Sequence, residues 1–213
     1  FGTSSMANIW MHNGYVTVNG EKMSKSVGNF YTVHDLLLKW PGEAIRYALL
    51  AGQYRAPLDY SIKGLSDARS ALDRLYQSLW KIGGPVCDNF KPAEAILNAL
   101  VDDLNTPLAL SKLHELAGKL NRAQDTEAIA IKGELLASAR LLGLLQEDPE
   151  IWFKGISEHN REWTSDKIDK CILARKQARL AKNFLEADRI RDELKANNIV
   201  LEDNSSGTIW KRN

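Results

Sequence analysis

Apolar positions along this chain recur mostly at steps of three and four residues, the spacing of one face of a helix. The clearest stripe is Leu65, Ala68, Leu72, Leu75 and Leu79, which predicts a long amphipathic helix. Gly83-Gly84-Pro85 is its expected stop. Leu108, Leu113, Leu116 and Leu120 mark a second helix, with Thr106 as N-cap and Pro107 at the first helical position. Helices are also expected over residues 43–50, 93–104 and 129–145. Thr32, with Asp35 three residues on, is a capping signal ahead of Leu36, Leu37 and Leu38. Near the end, Ser165 or Asp166 opens a helix towards Lys182, and Asn183 with Glu186 opens the next, giving a helix–turn–helix.

Two stretches follow a different period. Val16-Thr17-Val18 alternates and runs into Asn19-Gly20, a strong short hairpin signal because a type I′ turn needs two positive φ angles. That hairpin delivers Glu21-Lys22-Met23 to a loop ending near Gly28. Ile199-Val200-Leu201 and Thr208-Ile209-Trp210 read as two strands around the turn Asp203-Asn204-Ser205-Ser206-Gly207, with Trp210 packing hairpin on helix. Gly143 and Glu147-Asp148-Pro149-Glu150 mark a boundary. The expected fold is therefore mainly α: a short β-rich segment, a helical bundle, and a small C-terminal α+β module with a β-hairpin.

Composition narrows the function classes only modestly. The 213 residues are 44% hydrophobic and 26% charged, ordinary for a globular protein. No apolar run approaches the roughly 18 residues that a membrane span needs. Phe1 is not an initiator residue, so the chain reads as part of something longer. Cys87 and Cys171 make no disulfide framework and fit a reducing, cytoplasmic setting. Cys171 sits on a stripe with Ile168 and Ile172, as a core residue would. His12, His34, His114 and His159 are scattered, so a metal site within this chain is not expected. Net charge is +1, but residues 161–198 hold ten Lys or Arg against seven Asp or Glu, whereas residues 100–160 hold six against ten. A more basic tail permits local contact with phosphates.

The chemistry concentrates in Lys22-Met23-Ser24-Lys25-Ser26. Two ammonium groups three residues apart on a bending loop suit a substrate whose charge builds on phosphates during reaction. They can hold a leaving pyrophosphate more strongly in the transition state than in the ground state. Gly28 and Asn29 allow the loop to bend.

This string resembles the KMSKS signature of class I aminoacyl-tRNA synthetases. Its surroundings, Trp10-Met11-His12-Asn13-Gly14 and then Gly20-Glu21-Lys22-Met23-Ser24-Lys25-Ser26-Val27-Gly28-Asn29-Phe30, are similar to the cysteine–tRNA ligases. So are Asp102-Asp103-Leu104-Asn105-Thr106-Pro107 and the ending Leu201-Glu202-Asp203 with Gly207-Thr208-Ile209-Trp210. The resemblance covers nearly the whole chain and places it in the C-terminal half of that family. It implies formation of cysteinyl-adenylate from cysteine and ATP with magnesium, then transfer of cysteine to its tRNA. Lys25 is implied to contact ATP and Lys22 to help stabilise the phosphates. Ser24 and Ser26 are implied as lesser ATP-loop contacts, with Met23 packing the loop.

The resemblance also implies a division into four parts. Residues 1–31 end a catalytic domain, 32–83 contact the tRNA stem, 84–148 form a helical bundle, and 149–213 form an anticodon-binding module. Arg179, Phe184, Asp188 and Asp203 match its anticodon-reading positions. Asp accepts from exocyclic amines, Arg donates to base acceptors, and an aromatic ring stacks on a base. Phe184 also fits an apolar stripe with Leu180, Ala187, Ile190 and Leu194, and the family often has Trp there. Asp203 also suits a turn for local reasons. The family's His-x-Gly-His-type ATP signature and its zinc ligands do not occur here, so this chain alone is expected neither to activate nor to transfer cysteine. The full-length form is expected to be a cytoplasmic monomer. Two other readings stand beside this one: a non-catalytic tRNA-binding module, and a ligase joining cysteine to an amino sugar in thiol-cofactor synthesis. The tail from Lys167 to Trp210 argues against the latter.

Overall fold

The computed structural model describes residues 6–18, 20–24, 26, 28–82, 89–154, 163–197, 199–204 and 207–212. Asn19, Lys25, the Gly83-Gly84-Pro85 stop, Cys87, Ser205 and Ser206 lie outside the described residues. The chain is mainly helical and divides into two compact units, Phe1–Gln146 and Glu147–Asn213.

The first unit opens with the expected hairpin. Strand β1 (Val16–Val18) pairs antiparallel with β2 (Glu21–Lys22), placing Thr17 opposite Lys22 and Val18 opposite Glu21. Helix α1 (Val33–Leu37) is capped as its sequence predicts: the Thr32 side chain accepts from the Asp35 amide and donates to the Asp35 carboxylate. It is a single short turn, and of Leu36, Leu37 and the C-cap Leu38 only Leu36 is buried. Helix α2 (Gly42–Leu50) follows. The chain then returns as β3 (Leu58–Tyr60), parallel to β1, so the sheet order is β2-β1-β3. The approach is close at Gly14. Its amide donates to the Tyr54 carbonyl at 2.7 Å, and a Cβ there would stand 2.1 Å from the Ala56 carbonyl oxygen. No side chain larger than hydrogen fits.

Helix α3 (Ile62–Ile82) carries the predicted stripe: Leu65, Ala68, Leu72, Leu75 and Leu79 are all buried. Leu36, Ile45 and Leu65 form one core cluster, with Trp40, Ala48 and Tyr60 packed against it. The Tyr47 hydroxyl and His114 Nε2 share a hydrogen bond of 2.8 Å that joins α2 to α5 (Thr106–Leu120).

Several expected boundaries differ. The helix expected over 93–104 is α4 (Glu94–Val101), because Asp103 and Leu104 take left-handed φ angles of 51° and 52°. The Asp103 carboxylate is drawn away to Tyr54 and Arg55, which turns the chain out of the helix. The N-cap of α5 is Asn105, not Thr106: the Asn105 side chain accepts from the Leu108 amide, while the Thr106 hydroxyl donates to the Gly52 carbonyl. Leu108 stays 40% exposed and so leaves the predicted stripe. Helix α6 spans Asp125–Leu142, one turn earlier than expected at its start. It stops at Gly143, whose φ is 65°. Leu144 and Leu145 are buried beyond its end.

That end is fastened by α2. Glu43 accepts from the Leu145 and Gln146 amides at 3.0 and 2.7 Å and from the Tyr76 hydroxyl at 3.0 Å. Arg46 Nε donates to the Leu142 carbonyl at 2.5 Å. The carbonyl left open at a helix end thus gains a charged donor.

In the second unit, α7 (Pro149–Lys154) precedes α8 (Ser165–Leu180) and α9 (Phe184–Ala196). The cap of α8 is Thr164, which accepts from the Lys167 amide, one residue before the expected start. Asn183 caps α9 through the Glu186 amide, as predicted. Strands β4 (Ile199–Asn204) and β5 (Gly207–Arg212) pair antiparallel and extend further than the apolar triplets suggest. Trp163, Ile168, Ile190, Leu194, Ile199 and Trp210 form the core, with Cys171 partly buried against it.

Gly143→Ala tests the lock on α6. A methyl group there would meet Arg46 Nε at 2.6 Å on a left-handed backbone. The substitution is expected to cost about 1–3 kcal/mol in thermal unfolding. An unchanged melting temperature would contradict the lock.

Candidate functional site

Lys22 ends β2 with its side chain in solvent. The backbone around it is held from two sides. Asp59, on β3, uses one carboxylate oxygen to accept from the Thr17 hydroxyl at 2.7 Å and from the Gly20 amide at 2.8 Å. These bonds hold the Asp59 carboxyl below its usual range, the Thr17 hydroxyl contributing most. On the far side, Asn29 closes the loop. Its Nδ2 donates to the Lys22 carbonyl at 3.2 Å, and its Oδ1 accepts from the Ser24 amide at 2.9 Å. Ser24 and Ser26 share a hydroxyl contact of 3.1 Å. Gly28 takes the positive φ, 74°, that the bend requires. Lys25, the other candidate, lies outside the described residues.

Met23 is half-buried and lines a cavity of about 650 Å³ together with Tyr31, Leu36, Ile45, Tyr60 and Leu65. The methionine therefore roots the loop in the apolar layer beneath it, while both flanking positions remain polar. Neither Asn29 nor Asp59 was singled out for this task by spacing. Asn29 does stand just after Gly28 at the loop's exit, but Asp59 is 39 residues from Gly20.

The second group of candidates lies in the second unit. Arg179 and Asp203 meet at 3.1 Å. Asp203 also accepts both guanidinium nitrogens of Arg175, at 3.1 Å each, and the Thr208 hydroxyl at 2.5 Å. Both carboxylate oxygens thus already take two donors each, which is about all that a carboxylate accepts. Arg175 was missed by motif. Its signal is its place four residues before Arg179 on the same helical face. Asp203 is held far below the ordinary carboxylate range, first by Arg175, then by Thr208.

Phe184 and Asp188 stand one turn apart on α9. Phe184 is 62% exposed, so it does not share the core of Ala187, Ile190 and Leu194. Leu180, at 77% exposed, also leaves that stripe. Asp188 pairs with Arg191 on its own helix at 3.0 Å. Among the described residues no group of three or more His, Cys, Asp or Glu is placed to hold a metal ion, so the zinc implied by the resemblance has no donor set there. Among the described residues no helix is long and apolar enough to cross a membrane.

A pH series checks the Asp203 cluster. A carboxyl with a depressed folded pKa stabilises the fold above its unfolded value, about 3.9, and loses that contribution as pH falls towards the folded one. Asp203→Asn is therefore expected to melt about 2–4 °C below the parent chain at pH 7. The difference should shrink as pH drops below about 4. Equal melting at pH 7 would show that the cluster contributes nothing.

Comparison with known proteins covers most of the chain. Residues 1–70 match the family model of tRNA synthetases class I (C) catalytic domain, and residues 95–146 match the DALR domain. Over 212 residues the chain is 49% identical to a cysteine–tRNA ligase of Rhodospirillum rubrum, covering 99% of this chain and 46% of that protein. It is 53% identical over 211 residues to the cysteine–tRNA ligase of Paramagnetospirillum magneticum, covering 97% and 45%. With that of Saccharophagus degradans it shares 46% over 212 residues, covering 99% and 46%. The chain spans a little under half the length of these relatives. With a catalytic-domain match before a DALR match, and similarity along almost its whole length, the chain is similar to a C-terminal part of the cysteine–tRNA ligases.

Proposed function

We propose that this chain supplies the phosphate-handling loop and the tRNA-contacting modules of a cytoplasmic, monomeric cysteine–tRNA ligase. The observation that carries the reading is the exposed Lys22 at the root of a loop closed by Asn29 and backed by Asp59. In the proposed first step a cysteine carboxylate oxygen attacks the α-phosphorus of magnesium-bound ATP. The bond to the bridging oxygen breaks, and pyrophosphate leaves with the electron pair. Negative charge gathers on that leaving group. Lys22 and Lys25 hold it as mobile point charges, which lowers the barrier if they bind the departing pyrophosphate better than intact ATP. In the second step the terminal ribose hydroxyl of the tRNA for cysteine attacks the adenylate carbonyl, and AMP leaves. Ser24 and Ser26 line the loop, and Met23 anchors it.

The proposed division of labour follows the chain. Residues 1–31 complete the catalytic domain, 32–83 lie on the acceptor stem, and 84–148 form the bundle between. Residues 149–213 read the anticodon through Arg179, Phe184, Asp188 and Asp203. The exposed ring of Phe184 supports stacking rather than packing. The saturated carboxylate of Asp203 supports a role through Arg179, whose side chain is 53% exposed and keeps donors to spare. Zinc would be held in such a ligase by residues other than those described here.

Substitutions test each half. In the ligase that carries this chain, Lys22→Ala is expected to lower cysteine-dependent ATP–pyrophosphate exchange by about 10²–10³ with unchanged melting. Arg179→Ala is expected to weaken binding of the tRNA for cysteine by about 1–3 kcal/mol. Exchange at the parent rate after Lys22→Ala removes the phosphate role; unchanged tRNA affinity after Arg179→Ala removes the anticodon role.

A further inference from the structure

We infer that Asn29 and Asp59 are positioning residues for the lysine loop: Asn29 ties its two ends together, and Asp59 pins the hairpin turn that presents it. The inference rests on the reading of that loop as a phosphate site.

The geometry is economical. A single side chain, Asn29, meets the loop's entry at the Lys22 carbonyl and, two residues later, the Ser24 amide. It uses its donor on one and its acceptor on the other, so no other residue type of that length satisfies both. Lys22, the last residue of β2, therefore leaves a fixed backbone. Asp59 works from the opposite side. Its Oδ1 accepts from Thr17 on β1 and from Gly20 in the turn, so it spans the strand and the turn at once. Asp59 belongs to β3, the strand between α2 and α3. The loop's orientation is thereby referred to the helical layer and not merely to its own hairpin, which at two paired residues is too short to hold itself.

The exposure of Asp59 separates positioning from plain stability. Its carboxylate lies in solvent, so water can replace the protein donors at little cost to folding. What water cannot replace is direction. A lysine that must follow charge onto a departing pyrophosphate gains from a backbone fixed in advance, because the ordering cost is then met before the substrate binds.

The test uses the 213-residue chain. Amide hydrogen exchange is measured by NMR at Gly20 and Ser24, together with the melting temperature and the affinity for inorganic pyrophosphate with magnesium. Asn29→Ala is expected to speed Ser24 exchange, and Asp59→Ala to speed Gly20 exchange, each about tenfold, the loss of one intramolecular hydrogen bond. Amides of α3 and the melting temperature should stay as in the parent. Asp59→Asn keeps an oxygen that accepts from both donors and should restore Gly20 protection. Asn29→Asp keeps the acceptor for Ser24 but loses the donor to Lys22; it should protect Ser24 and still bind pyrophosphate less well.

Lys22→Ala serves as the reference. If it weakens pyrophosphate binding while Asn29→Ala and Asp59→Ala bind as the parent does, the positioning role is overturned. Parent-like exchange at both amides in the alanine variants overturns it as well. If the parent chain does not bind pyrophosphate, or Lys22→Ala binds like the parent, the phosphate reading fails by itself, and the exchange rates alone decide whether Asn29 and Asp59 fix the loop.

Discussion

On the proposed reading Lys22 acts on phosphate from solvent, which calls for a fixed backbone beneath it, and that fixing comes from the parallel pairing of β3 beside β1. The hairpin β1–β2 has two residue pairs, which is too little to be stable alone. Adding β3 gives it a third strand and brings Asp59 under the turn. That pairing depends in turn on the close contact at Gly14, where the chain runs against the 54–58 segment with no room for a side chain. Met23 reaches down into the apolar layer while Lys22 stays in water, so one loop has both a rooted and a free face.

The helices behind the sheet are joined by polar clasps as well as by leucines. Glu43 and Arg46 on α2 take hold of the segment after α6, with the amides of Leu145 and Gln146 on one and the carbonyl of Leu142 on the other. Tyr54 and Arg55 hold Asp103 in the same manner, at the point where α4 gives way to α5. The second unit applies the same device at Asp203. There two arginines from α8 and a threonine from β5 converge on one carboxylate and fix the hairpin edge to the helix. Charged hydrogen bonds are directional, so each clasp selects one arrangement of backbone among several that the apolar stripe would tolerate.

Much of this was legible in the sequence where a local rule governs. The α3 stripe, the Thr32 and Asn183 caps, the Val16-to-Lys22 hairpin and the terminal strand pair follow from side-chain period and capping chemistry. What escaped depends on distant partners. Strand β3 is three residues long and becomes a strand only because β1 lies beside it. Asp103 ends α4 early because Arg55 attracts it, and Asn105 displaces Thr106 as cap because the turn it follows is already left-handed. Among the site residues the lysine string was plain from its motif. Asn29, Asp59 and Arg175 were not, since each acts by a contact that spacing alone does not reveal.

On the proposed reading the lysine loop serves a phosphate site that is completed by further residues, those that hold adenosine and the cysteine thiolate. The most direct test is ATP–pyrophosphate exchange by the purified 213-residue chain with cysteine and magnesium. No cysteine-dependent exchange above the background without protein is expected. Clear cysteine-dependent exchange from this chain alone would contradict that reading, because the lysine loop would then belong to a complete site within these residues.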